Sequence, residues 1–263
     1  MSLLFLEPAA KAKHEPCSNR TEKANAELRR VNSSLDIPLS YVIILNIYPK
    51  LLKVNNQKMD FNKLANKQIV DDTLKELRDR GYQAFTVENG KKALEKIKEL
   101  IPSNASVTNG ASRTLEQIGF VDYLKSGNHS WNNLHENILK EIDPAKQKLL
   151  RRQSAVSDYY LGSVHALIET GDFIIASNTG SQLSPIVFTS ENLIFVVSTK
   201  KIVPSIEIGM KRLIDHVIPL EDKNMMQKYN IGTSLNKIVI FKGESKFNQR
   251  KITFILVNEN LGF

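Results

Sequence analysis

Val107-Thr-Asn-Gly-Ala-Ser-Arg-Thr114 is the stretch on which the fold turns. β-Branched Val107 and Thr108 run into small polar residues, and Ser112 stands where a helix N-cap belongs. The pattern predicts a short strand over 105–108, a loop, and a helix over 112–125 with Leu115, Ile118 and Val121 on one face. Open α/β sheets hold ligands at such strand ends. The backbone N–H groups of Gly110 to Arg113 would face the helix start, where anions are favoured. Asn109, Gly110, Ser112 and Thr114 are therefore candidate ligand-binding residues. The bland alternative is that Ser112 only caps the helix and Asn109-Gly110 is only a turn.

Strands and helices alternate outward from this point. Asp60 reads as the N-cap of a helix bearing Leu64, Ala65, Ile69, Leu74 and Leu77, ended by Gly81. A strand over 82–87 precedes an Asn89-Gly90 turn and a helix over 91–100, stopped by Pro102. Asp143-Pro144 reads as N-cap and first helical residue of a helix running to about Tyr160. Strands over 163–168 and 173–176 are joined by the turn Glu169-Thr-Gly-Asp172 as a hairpin. The continuous apolar run Leu193-Ile-Phe-Val-Val197 suits a strand buried on both faces. A helix over 204–215 and strands over 237–241 and 251–257 close the chain. The alternation argues an α/β fold with a mixed, mostly parallel sheet and an inserted antiparallel hairpin. Residues 1–58 read differently, polar and lysine-rich over 7–36 and apolar over 41–52. They read as an N-terminal extension, partly disordered or loosely packed, before a domain over 59–263. The alternative is an extra strand or helix packed on that domain.

The segment Ser177-Asn-Thr-Gly-Ser-Gln182 concentrates hydroxyls, amides and glycine after a strand. Such residues add nothing to a core, so the segment turns or binds, and Thr179, Gly180, Ser181 and Gln182 join the ligand-binding candidates. A polar surface loop is the alternative. Glu169 and Asp172 are the nearby carboxylates considered for acid–base work. The single cysteine, Cys17, excludes an internal disulfide, a multi-cysteine zinc site and an iron–sulfur cluster built from this chain alone. His129 and His135 are six residues apart, which is not helical ligand spacing, and no metal site is expected. His165, Trp131 and Tyr159-Tyr160 read as core residues. No Walker loop, dinucleotide glycine fingerprint or Gly-x-Ser-x-Gly elbow is present, so no cofactor is expected. Half of the +8 net charge falls on the first 58 residues. Arg151-Arg152, Lys200-Lys201 and Lys211-Arg212 read as solvated element ends, and no clustered basic face points to nucleic acid. The sequence holds no apolar run of membrane-spanning length and no secretory leader, which predicts a cytoplasmic protein.

Four stretches carry a family resemblance. They are Asn109-Gly-Ala-Ser-Arg-Thr-Leu-Glu-Gln-Ile-Gly119, Ser157-Asp-Tyr-Tyr-Leu-Gly-Ser-Val-His-Ala-Leu-Ile-Glu-Thr-Gly171, Asn192-Leu-Ile-Phe-Val-Val-Ser-Thr-Lys-Lys-Ile-Val203 and Ile255-Leu-Val-Asn-Glu-Asn-Leu-Gly-Phe263. In order and spacing, residues 59–263 resemble the LUD domain of lactate-utilisation proteins. The resemblance implies a three-layer α/β/α fold similar to ribose-phosphate isomerases, glucosamine-phosphate deaminases and CoA-transferases. It implies a small anionic ligand over the two small-residue loops. It also implies work beside iron–sulfur partner proteins that oxidise lactate, with this chain as a non-redox component. Isomerase- or CoA-transferase-like catalysis on a phosphorylated or CoA-linked substrate is the alternative, with Glu169 as the carboxylate nucleophile. A scaffolding role without a ligand is a third. Whether the chain is an enzyme stays open, and no isomerase-like Asp-Gly-Ala-Asp segment is present.

Overall fold

The structure, a computed structural model, describes residues 59–263. The extension read at residues 1–58, Cys17 included, lies outside the described residues. Helix α1 is Lys67–Asp79, and its N-cap is Asn66, whose side chain accepts from the Ile69 N–H at 2.9 Å. Asp60, expected as that cap, instead accepts from the Asn62 N–H in a separate turn. Strand β1 (Gln83–Val87) follows, then α2 (Gly90–Leu100), capped by Asn89 rather than preceded by a free turn. Strand β2 is Ser106–Asn109. The helix expected over 112–125 is split into α3 (Arg113–Gln117) and α4 (Phe120–Ser126), because Gly119 takes a left-handed φ of 78°.

The two-residue strand β3 (Asn132–Asn133) leads into α5 (Leu134–Lys140) and α6 (Pro144–Gln153). Helix α6 starts at the expected Asp143 cap and stops well short of Tyr160. Tyr159–Gly162 is strand β4, an aromatic and apolar segment buried between neighbouring strands, where pairing outweighs helical continuation. The hairpin is β5 (Ala166–Ile168) and β6 (Phe173–Ser177). After β7 (Asn192–Ser198) come a 3₁₀ turn over Thr199–Lys201, β8 (Ile202–Val203) and α7 (Ile206–Arg212). A π-helical turn, Leu213–Val217, joins α7 to α8 (Ile218–Tyr229), and β9 (Lys237–Phe241) and β10 (Lys251–Val257) complete the described chain.

Six strands form a wholly parallel sheet in the order β1-β10-β7-β4-β2-β3. The α/β class read from the sequence holds. The antiparallel pairing lies in a second, mixed sheet, β8-β5-β6-β9, which also takes β9 away from the main sheet. Alternation along the central strands divides the core. Leu193, Phe195, Val197, Phe254 and Leu256 pack with α1 residues Leu74 and Leu77 and with Phe173 of the second sheet. Ile194, Val196, Ile255 and Val257 face Ala93, Ile97, Leu115, Phe120 and Trp131 on the other side. A third cluster joins the second sheet to Leu213 and Val217. Trp131 sits near the N-terminal end of β2, its indole N–H donating to the Ile101 carbonyl at 3.3 Å and its ring stacked on His129.

Candidate functional site

All six parallel strands point the same way, so their C-terminal ends gather small-residue loops at one edge. A cleft of about 540 Å³ opens there. It is lined by the ends of β2 and β4, the segment after β6, the turn after β7, and residues of α6 and α8. Asn109, Gly110, Ser112 and Thr114 line it on one side; Thr179, Ser181 and Gln182 line it on the other. Gly180 stands behind that wall, against the Lys237 side chain.

The loop residues hold one another in place. Ser112 Oγ accepts from the Leu115 N–H at 3.3 Å as the cap of α3, and Asn109 Nδ2 donates to the Gly110 carbonyl at 3.0 Å. With only five residues, α3 contributes little of the dipole expected from a full helix. Gln182 Nε2 donates to the Ala176 carbonyl at 2.9 Å, tying the second loop to the end of β6. Gly110 is small for a packing reason rather than a left-handed turn. A Cβ there would lie 2.2 Å from Tyr160 Oη and 2.9 Å from Gln182 Oε1. Tyr160 Oη is itself buried with no hydrogen-bond partner among the described residues. Burial pushes its phenol well above the ordinary range.

Lys201 lines the cleft, and Lys200 and Arg212 are buried beside it. Lys201, 5% exposed, donates to Ser163 Oγ at 3.0 Å, Thr114 Oγ1 at 3.1 Å and the Val164 carbonyl at 3.2 Å. Its neighbour Lys200 reaches Asn260 Oδ1 at 2.7 Å and the Gly262 carbonyl at 3.0 Å. Fully buried Arg212 donates to the His165 carbonyl at 2.5 Å and to a main-chain oxygen of Phe263 at 2.6 Å. Among the described residues none of the three pairs with an Asp or Glu side chain. Lys200 and Arg212 are thus not the solvated ends that the sequence suggested, and neither is Lys201. Burial, with repulsion from Arg212 and Lys200, holds Lys201 well below the ordinary lysine range. Burial and then Arg212 bring Lys200 down to about 8. His165 lines the cleft and accepts the Ala176 N–H at Nδ1, 3.1 Å away, so the neutral ring carries its proton on Nε2. Burial, then Lys201 and Arg212, push its pKa down to about 3.

Two carboxyl groups line the rim. Burial would raise Glu116, but hydrogen bonds from Lys228 and Arg113 outweigh it and hold the group below its ordinary value. Burial raises Glu221, against a weaker opposing hydrogen bond from Asn224. Arg151 on α6 also lines the rim, and its recorded side-chain partner is Gln147 at 3.3 Å. Glu169 and Asp172, the expected acid–base candidates, do not line the cleft. Asp172 is buried in ion pairs with Arg80, at 2.8 Å, and Lys242, because the hairpin turn faces the end of α1. Among the described residues no three His, Cys, Asp or Glu side chains gather as metal ligands. No helix among them is long and apolar enough to cross a membrane.

The structure is an α/β domain with a parallel sheet and a polar cleft at its strand ends. The LUD domain model matches residues 70–256, and the chain belongs to the LUD domain family. A crystal structure of a DUF162 family protein from Deinococcus radiodurans is similar at 12% identity. The match covers 74% of this chain and 100% of that one, with a TM-score of 0.47. No curated protein matches the sequence.

Proposed function

We propose that the cleft binds a small organic anion, and that the chain serves as a non-redox component of lactate, or more broadly organic-acid, utilisation. The observation that carries this reading is the cleft lining itself, Lys201 and Arg151 among hydroxyl- and amide-bearing loops, with Lys200 and Arg212 buried beside Lys201 and no Asp or Glu side chain paired with Lys200, Lys201 or Arg212 among the described residues. Buried charge is costly until a counter-charge arrives, and an anion in the cleft supplies one. Arg151 on the rim adds a planar fork suited to a carboxylate or phosphate. Family membership supports the lactate connection. In this reading electrons pass to cytoplasmic iron–sulfur partner proteins, since a single cysteine offers one thiolate where a cluster needs several.

Glu221 favours a second reading, an enzyme acting by proton transfer on a phosphorylated or CoA-linked substrate. A carboxyl raised by burial inside a cleft is suited to hold and deliver a proton. The CoA-transferase version would need a nucleophile other than Glu169, which lies outside the cleft. Calorimetric titration of the full-length protein with pyruvate, lactate, inorganic phosphate and acetyl-CoA tests both readings. A small carboxylate or phosphate should bind, and Arg151→Ala should weaken it by about tenfold, the equivalent of about 1.4 kcal/mol. Absence of binding by every probe would overturn the anion-site reading; turnover of acetyl-CoA or a sugar phosphate would favour the second.

A further inference from the structure

The groups around Lys201 Nζ are able to hold a neutral amine. The Val164 carbonyl can only accept. Ser163 directs its own hydroxyl hydrogen to the Val196 carbonyl at 2.7 Å, so toward Lys201 it also only accepts. Thr114 is the one neighbour able to turn a hydrogen toward Nζ, at 3.1 Å. A neutral amine can satisfy every group, with two N–H bonds to Ser163 and Val164 and the lone pair accepting from the Thr114 hydroxyl; an ammonium donating to all three oxygens satisfies them as well. The ammonium, however, would be a third buried cation beside Lys200 and Arg212. Arg212 cannot give up its proton under ordinary conditions. Lys201 is the member of the cluster with a satisfied neutral form, and it is the one that lines the cleft.

We propose that Lys201 is an imine-forming nucleophile for a small carbonyl compound that carries an anionic group. This rests on the reading of the cleft as the ligand site. The Thr114 hydroxyl also lies 3.5 Å from Ser163 Oγ, so it can turn to that acceptor and release the Nζ lone pair. The lone pair attacks the carbonyl carbon, a C–N bond forms, and the carbonyl π pair moves onto oxygen. That oxygen takes a proton as nitrogen loses one, giving the carbinolamine. A second proton on the hydroxyl lets it leave as water while the nitrogen lone pair closes the C=N bond and the remaining N–H proton is lost. Amine and carbonyl thus become imine and water, with no oxidant or reductant. Glu221, the rim carboxyl raised by burial, is suited to carry the proton, and Arg151 to hold the anionic group. A carboxylate next to the carbonyl and a phosphate on a neighbouring carbon share this chemistry.

Borohydride trapping of the full-length protein tests it. The protein is incubated separately with pyruvate, glyoxylate and dihydroxyacetone phosphate, reduced with sodium cyanoborohydride, and analysed by intact mass and peptide mapping. Binding of each probe is measured in parallel by calorimetry. The expected result is a reduced adduct on Lys201 with at least one probe, and its loss in Lys201→Arg. The oxo-acid and phosphate arms identify the anionic group. Mapping in the unaltered protein keeps the test decisive even if Lys201→Arg folds poorly. Thr114→Val, which retains the amine, should change the rate of trapping several-fold while leaving the adduct on the same residue. A probe that binds while Lys201 stays unmodified overturns the imine and leaves the anion-site reading standing. Failure of every probe to bind overturns both.

Discussion

A Cβ at Gly110 would stand 2.2 Å from Tyr160 Oη, so Gly110→Ala should push the phenol off its place in the core. Overpacking of this kind costs roughly 1–3 kcal/mol. Thermal or urea unfolding should show a loss of that size, partly recovered in the double variant Gly110→Ala/Tyr160→Phe, which deletes the clashing oxygen. A loss unchanged by the second substitution would mean that the backbone, not the phenol, limits Gly110. The same pair shows what a sequence can and cannot display at one residue. Gly110 stands out because it follows a strand in a run of small residues. The atom that demands it comes from Tyr160, 50 positions away and read as ordinary core.

At the scale of single elements, Asn66 caps α1 through its side chain at 2.9 Å, while Asp60 caps only a turn. Asn66→Ala should cost about 1 kcal/mol in denaturant unfolding, and Asp60→Ala much less. Equal losses would contradict the observed start of the helix. Asp60 misled because it heads an apolar pattern, whereas Asn66 sits inside that pattern and looks like an interruption of it. The hairpin, the buried strand β7 and the loops after β2 and β6 were all legible, since each rests on local period and turn chemistry. The split at Gly119 and the strand β4 were not, because pairing with distant strands decides them. Nor was the burial of Lys200, Lys201 and Arg212. Lys200-Lys201 comes two residues after the apolar run Leu193 to Val197 and resembles a solvated strand end; its burial is set by Ser163, Thr114 and the segment around Gly262. The position of a lysine pair at the end of the central strand was the available signal.

For the molecule as a whole, the titrating groups favour the alkaline side. His165 has its pKa lowered from 6.5 to about 3, so between these values the unfolded chain binds a proton that the folded one refuses. Its contribution is fully present above pH 6.5 and is lost as pH falls toward 3, at up to about 1.4 kcal/mol per pH unit. Lys200, lowered from 10.5 to about 8, extends the rise into mildly alkaline solution. Tyr82, raised from 10.0 to about 12, removes stability above pH 10 as the unfolded chain alone ionises. Glu221 runs against the trend on the acid side, where its raised pKa lowers stability as pH increases. Urea midpoints should climb from pH 4 to about 9 and fall beyond 10, and His165→Gln should flatten the acid limb. A midpoint independent of pH between 4 and 6.5 would contradict the buried neutral imidazole. Every one of these tests must distinguish a weakened ligand site from a weakened fold, and the ring stacked on His129 provides the means. Trp131 is the sole tryptophan, and it lies at the N-terminal end of β2, while the cleft lies at the strand's other end. Its fluorescence should therefore stay silent when the cleft fills and shift to longer wavelength only when the sheet comes apart, giving the protein an intrinsic optical gauge of integrity.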